Sequence, residues 1–299
     1  MAPAIPTARL GRTGLEVSRL GFGTALRSGL DDDRWDVLLN TVLDAGINFV
    51  DTANDYGLHW ARPAEEQIGR HLSGRRSEFY LATKCGCPPG GGDHIWTREN
   101  AFRGLHESLG RLRTDYVDLM QYHNPSVEEC EAGDLVRVLE EMREQGKVRW
   151  IGVSTTLPHL PTFLEWGAFD VFQIPYSALE REHEEWITKA AQAGTGIVIR
   201  GGVAQGEPVS AREGRRADKW KVFEAARLDE LVEEESRTAF LLRYTLTHPH
   251  SDTNIVGTTR VDHLEENLAG ISKGPLSPEI YAEARRRLDA AGERAEAAG

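Results

Sequence analysis

The sequence predicts an α/β chain folded as a (β/α)₈ barrel, and three observations carry that reading. Eight short apolar runs recur along the 299 residues, and each is followed by a stretch with apolar residues at helical spacing. The runs are continuous rather than alternating, as in strands buried on both faces of a parallel sheet. The length suits one such barrel, which takes about 250 residues, and no linker divides it, so 1–299 reads as one domain. A doubly wound open sheet is the alternative arrangement for the same alternation.

Each element follows from local signals. Residues 8–21 carry Gly11 and Gly14 between short alternating segments, the mark of a β-hairpin, and 19–23 forms the first core strand. Residues 34–44 are helical and stop at Gly46, and the next strand ends at Asp51. A short helix over 65–72 precedes a strand over 79–83, and Pro88 to Gly92 is a loop. Thr97 caps a helix over 97–112, and 117–122 is a strand. The alternation continues with a helix over 135–145, a strand over 150–153 and a helix over 157–166. A strand over 171–174, a helix over 184–193 and a strand over 197–199 follow. The last pairs are a helix over 237–247, a strand over 254–256 and a helix over 261–268. Residues 206–228, rich in Glu, Arg and Lys, read as a large loop at the C-terminal face of the strands. The tail, 274–299, holds one helix over 278–290.

Composition excludes several classes. A net charge of −12 and a pI of about 5.4 argue against nonspecific nucleic-acid binding and against an anionic membrane surface. No apolar run approaches the roughly 18 residues of a membrane span. Residues 1–9 lack a cationic start followed by an apolar stretch, so no secretory signal is visible. Three cysteines are too few for a disulfide framework, and Cys85-Gly-Cys87 has the wrong spacing for a redox pair. A cytoplasmic, reduced setting is expected.

The chemistry collects where the runs end. Parallel strands closed into a barrel open all their C-terminal ends on one face. The residues there are Gly23-Thr24, Asp51, Lys84, His123, Ser154-Thr155, Gln173, Arg200 and Gly257-Thr258-Thr259-Arg260, with Tyr56 five positions after Asp51. Singly, His123 reads as a structural histidine, and Asp51 with Lys84 as an ordinary ion pair. Together, on the second, third and fourth strands, they make an acid–base set. A phenol has a pKa near about 10, and a neighbouring ammonium makes it a better acid. Asp51 would hold Lys84 charged, and the His123 imidazole would orient a substrate oxygen. Such a phenol is a general acid poised toward a carbonyl oxygen. The accompanying hydride can come from no side chain, so a nicotinamide cofactor is required.

The usual dinucleotide fingerprint is absent, because Leu26 stands where the third glycine would be in Gly21-Phe22-Gly23-Thr24-Ala25-Leu26. The best anion site is the glycine turn at Gly257, leading through Thr258, Thr259 and Arg260 into a helix that carries Asp262, His263, Glu265, Glu266 and Asn267. The same stretch also reads as a plain capped helix with a solvated arginine.

These residues resemble the aldo-keto reductase family. The resemblance runs through 46–57, Ala82-Thr83-Lys84, 109–125, 146–154 and 255–267, and covers about residues 8 to 270. It implies a (β/α)₈ TIM barrel and NADP(H)-dependent interconversion of aldehydes or ketones with alcohols. It implies Tyr56 as the acid/base, supported by Lys84, Asp51 and His123. It implies Ser154 and Gln173 at the nicotinamide carboxamide, Glu266 and Asn267 facing the adenine, and Arg260 on the 2′-phosphate. Two departures stand out. Thr155 replaces the asparagine common after the strand-five serine, and Arg200 stands where an aromatic residue often covers the nicotinamide ring.

Two other classes compete with this reading. A binding module that senses NADP(H) with slow turnover would have no need of Tyr56. A metal-dependent barrel hydrolase or lyase would need a His-x-His pair or a carboxylate cluster at strand ends, so no metal is expected. The partner is a small-molecule carbonyl or alcohol substrate. Specificity lies in the loops 87–96 and 206–228 and in the tail. Trp60, Trp96 and Trp220 either line an apolar or sugar-stacking pocket there or anchor their own loops. Oligomeric state leaves no mark in the sequence.

Overall fold

The computed structural model describes every residue except 1–4, 27–28, 59–62, 89–90, 209–213 and 299. An antiparallel hairpin of β1 (Thr7–Arg9) and β2 (Glu16–Ser18) precedes a closed barrel of eight parallel strands. The barrel strands are β3 (Leu20–Gly23), β4 (Phe49–Asp51), β5 (Tyr80–Cys85), β6 (Val117–His123), β7 (Val148–Ser154), β8 (Val171–Pro175), β9 (Gly196–Arg200) and β10 (Thr253–Val256). Each pairs with the next, and β10 closes on β3. The expected (β/α)₈ architecture is therefore present.

A step of two along a strand keeps the same face, and this parity builds the site. Phe49, Ala82, Leu119, Val171 and Val198 fill the barrel interior together with Leu10 and Val17 from the hairpin. Two residues further along the same strands stand Asp51, Lys84, Gln121, Gln173 and Arg200. The apolar filling thus gives way to a polar layer at the C-terminal mouth. The outward set, including Val50, Leu81, Met120, Ile151, Phe172 and Ile199, lies in the larger core under the helices.

The hairpin plugs the opposite end. Arg12 donates its backbone N–H to Gly194 O at 2.7 Å. Gly11 has φ +45°, and a Cβ there would sit 2.2 Å from the backbone nitrogen of Gly196. Only glycine allows that approach.

The helices are α1 (Asp32–Asp44), α2 (Ala64–Leu72), α3 (Arg98–Leu112), α4 (Val127–Ala132), α5 (Leu135–Glu144), α6 (Leu160–Trp166), α7 (Glu184–Gln192), α8 (Arg215–Ala225), α9 (Arg237–Thr247), α10 (Val261–Ser272) and α11 (Pro278–Ala290). Thr97 caps α3 by accepting from Asn100 N, as the sequence suggests, and Asp31 caps α1 by accepting from Arg34 N. No described helix is long and apolar enough to cross a membrane.

Two elements depart from the expectation. The stretch read as a loop over 206–228 contains α8. Trp220 and Phe223 stand one turn apart, stack at 5.4 Å between centroids and are buried, which gives this highly charged segment an apolar side. The helix α4 was not anticipated. It is one and a half turns long, and its signal is a capping box in which Ser126 and Glu129 reciprocally bond each other's backbone N–H. The tail helix α11 forms over 278–290, burying Ala284 and Leu288.

Candidate active site

The chain leaving β4 stays paired with β5, which fixes where Tyr56 lies. Thr52 N donates to Ala82 O at 2.9 Å and Asn54 N to Lys84 O at 3.2 Å. The Asn54 side chain then donates to Cys87 O at 3.1 Å. This pairing lays the Tyr56 turn over the end of β5, where Lys84 points inward.

Lys84 is fully buried and uses three acceptors. Its Nζ donates to Asp51 Oδ2 at 2.6 Å, to Thr52 O at 2.9 Å and to Tyr56 OH at 3.3 Å. Burial works against the ammonium, but Asp51 and then Tyr56 outweigh it and raise the Lys84 pKa, so it stays charged. The other Asp51 oxygen accepts from Gln173 Nε2 at 2.8 Å and from Gln121 Nε2 at 3.2 Å. The buried carboxylate is thus held by one cation and two amides.

Tyr56 was expected to become a better acid beside Lys84. The balance is different: burial raises its pKa first, and Lys84 only pulls part of that back. The phenol is therefore protonated at neutral pH, which suits a proton donor. His123 ends β6, and its ring meets the Tyr56 ring edge-on at 5.8 Å. Burial, then Lys84, lowers the His123 pKa to about 2, so this imidazole is neutral. Asp51, Tyr56, Lys84 and His123 do come together at one mouth.

The residues expected to hold a cofactor surround that mouth. Ser154 and Thr155 are buried at the end of β7, and Ser154 Oγ donates to Asn124 Oδ1 at 3.4 Å. Thr24 donates its N–H and its hydroxyl to Asp51 O at 2.9 and 3.2 Å, tying β3 to the β4 end. Gln173 spends its amide nitrogen on Asp51. Arg200 ends β9 half-buried, with its pKa lowered by burial, and its Nε has no hydrogen-bond partner among the described residues. A Cβ on Gly257 would sit 2.5 Å from Gly23 O, so the turn into α10 requires glycine. Beyond it, Thr258 and Thr259 are half-buried, Arg260, His263 and Glu266 are exposed, and Asn267 is buried. Arg260 is not free: its guanidinium pairs with Asp262, whose carboxyl it holds down to about 2.

An open glycine turn at a helix start, a half-buried guanidinium with an unpartnered donor, and a polar mouth fit a nicotinamide dinucleotide. By contrast, a cleft of about 660 Å³ lined by residues 109–110, 113–115 and 145–147 opens at the far end, where β6 and β7 begin, away from every one of these groups.

Trp96 lies against Gly86 and meets Tyr122 edge-on at 5.7 Å, so it anchors its own loop while standing beside the mouth. Trp220 is buried and donates to Ala204 O, which makes it an anchor. Trp60 lies outside the described residues. Sequence reasoning passed over Gln121, although it sits two residues before His123 and so on the same face. It also passed over Asp55 and His94, which reach the mouth from loops and carry no periodic signal.

Comparison with known proteins bears on the fold and the family. The holo form of an aldo-keto reductase from Bacillus halodurans superposes with a TM-score of 0.84 at 28% identity, covering 95% of this chain and 96% of that one. An uncharacterized oxidoreductase of Bacillus subtilis (strain 168), YqkF, is 26% identical over 288 residues, 91% of this chain and 92% of its own. An NADH-specific methylglyoxal reductase of Escherichia coli (strain K12) is 30% identical over 221 residues, 64% of each chain. The model of the aldo/keto reductase family matches residues 19–288, a span that contains the barrel, the buried Lys84–Asp51 pair and the Tyr56 turn. With fold, polar mouth and family pattern in agreement over that span, the chain belongs to the aldo/keto reductase family.

Proposed function

We propose that this chain reduces an aldehyde or ketone to an alcohol, or runs the reverse, with NADPH/NADP+ as cofactor and Tyr56 as the proton donor. One observation carries the reading: the Tyr56 hydroxyl lies 3.3 Å from a fully buried Lys84 ammonium that Asp51 holds charged. A phenol so placed delivers its proton to a substrate oxygen, and the ammonium stabilises the phenolate left behind. His123, neutral, steers the carbonyl oxygen toward that hydroxyl. Substrate contacts fall to Tyr56, His123 and Trp96. A bound nicotinamide supplies the hydride.

Gly23, Thr24, Asp51, Ser154, Thr155, Gln173 and Arg200 would receive the nicotinamide half. Gly257, Thr258, Thr259, Arg260, His263, Glu266 and Asn267 would receive the adenosine half. The preference for NADPH rests on Arg260. A charge-assisted contact to the 2′-phosphate contributes roughly 1.5–3 kcal/mol, a preference of about ten- to a hundredfold. Asp262 opposes it by occupying the guanidinium, and one relative is named as NADH-specific. A cytoplasmic, reduced setting suits the three buried free cysteines.

The test has two arms. Steady-state oxidation of NADPH over a panel of aldehydes, ketones and sugars should show turnover in the wild type. Tyr56→Phe should keep cofactor affinity and lose about 10²–10⁴-fold in rate. A wild type that binds the cofactor without turnover on any carbonyl would instead be a sensor. Titration of both reduced cofactors into the wild type and Arg260→Ala should show the preference for NADPH collapse in the variant. Equal affinity for NADH in the wild type overturns the assignment of Arg260.

A further inference from the structure

The expectation of no metal overlooked a cluster that only the fold assembles. We infer that Asp55, His94 and His123 form a binding site for a divalent transition cation such as zinc, at the mouth beside Tyr56. One ligand atom from each lies within 4.8 Å of the other two. They arrive from three segments: the Tyr56 turn, the loop between β5 and α3, and the end of β6.

Two of these atoms are otherwise unexplained. His123 Nδ1 and Asp55 Oδ1 face each other at 3.7 Å, beyond hydrogen-bonding distance. Both are shielded from solvent, and neither has a hydrogen-bond partner among the described residues. Two shielded and unsatisfied polar atoms aimed at one point are a costly arrangement that a cation between them relieves. The His94 ring stands 5.3 Å from the His123 ring.

Two imidazoles and a carboxylate with a fourth position open match a zinc site of the exposed kind. Zinc–donor bonds of about 2.0–2.2 Å bring tetrahedral donors to roughly 3.4 Å from one another, so the three donors draw closer on binding. The His94 loop carries Gly86, Gly91 and Gly92 at positive φ, a residue type whose backbone has the widest conformational range. Lys84 and Arg200 face the same mouth and oppose a cation, but Asp51 neutralises Lys84 and Glu180 lies near Arg200. Asp55 contributes the remaining negative charge.

Resting on the proposed reaction, the consequence is inhibition. A cation that holds His123 withdraws its ring from the substrate oxygen and covers the phenol, so it competes with the carbonyl substrate.

Zinc chloride titrated into chelator-treated full-length protein by calorimetry should report one site in the micromolar range. His94→Ala and Asp55→Asn should each weaken it at least tenfold. His71→Ala, which removes an imidazole of α2 paired with Asp36, should leave it unchanged. Thermal melts of the variants separate a lost ligand from a lost fold. In assays, zinc should raise KM for the carbonyl with little change in kcat, and EDTA should restore it. No heat of binding, or wild-type affinity in both ligand variants, overturns the site. Calorimetry needs no turnover, so zinc binding without carbonyl reduction would refute the proposed reaction and leave the metal site standing.

Discussion

Gln173 donates its amide to Asp51 at 2.8 Å, on the same carboxylate oxygen that accepts from Gln121, while Lys84 occupies the other oxygen. Two amides from separate strands therefore hold the carboxylate that holds the lysine. Gln121→Leu should cost about 1–3 kcal/mol of stability by removing a hydrogen bond to a charged group, with cofactor affinity unchanged. Gln173→Leu should show a similar loss and, in addition, bind NADPH about tenfold more weakly. Denaturant melts and fluorescence titration of the two variants measure both effects. Equal cofactor affinity in the two would remove Gln173 from the cofactor site.

The raised pKa of Tyr56 sets a pH profile. A phenol held above its ordinary 10.0 is protonated throughout the neutral range. Reductive kcat/KM should be flat from mildly acidic to mildly alkaline pH and fall only as the phenol ionises. Alcohol oxidation needs the phenolate and should rise with pH over the same range. Profiles of both directions check this, and a reductive profile falling through pH 7 would point to another acid.

Lys84 and Asp51 should be strongly coupled. Removing one partner of a buried pair leaves an uncompensated charge and costs about 3–5 kcal/mol. Lys84→Met and Asp51→Asn should each destabilise by that order. The double variant should cost much less than the sum, because no charge is stranded. Urea melts of the four proteins complete the cycle.

Asp262 competes with any phosphate for Arg260. Asp262→Asn should therefore tighten NADPH more than NADH, raising the ratio of their affinities severalfold, as read by fluorescence titration. An unchanged ratio would show that the pair does not restrain the guanidinium.

Acid should destabilise the fold through buried histidines, His183 and His248 alongside His123. His183 Nε2 accepts from Leu157 N at 3.1 Å and His248 Nδ1 from His250 N at 3.2 Å, so each ring is needed as an acceptor. Burial lowers both pKa values to about 4, against 6.5 when exposed. Between those values the unfolded chain binds more protons, so stability is lost as pH falls from about 6.5 to about 4. Asp252 acts oppositely: burial raises it to about 6, and it partly offsets the loss below that pH. Urea midpoints at pH 7.5 and 5.0 should differ accordingly, and His248→Gln should narrow the difference.

The barrel and its central tetrad were legible because both follow from short-range rules. Buried strands read as apolar runs, and Asp51, Lys84 and His123 end three of them. Parity within a strand could also have found Gln121, two residues before His123. Asp55 and His94 were out of reach, since their approach depends on how two loops fold over the mouth. Arg260 was legible as a cation at a helix start, but its capture by Asp262 depends on rotamers that no spacing encodes. The helix at 215–225 was hidden by its charges, because its apolar side rests mainly on Trp220 and Phe223.

The hairpin seated through Gly11 has a practical consequence. Floor and mouth are separated by the packed filling of Phe49, Leu119 and Val198. An engineer can therefore seek heat tolerance by stapling or resurfacing the floor without retuning the chemistry. New substrate scope can be sought by grafting loops at the mouth without re-optimising the seal.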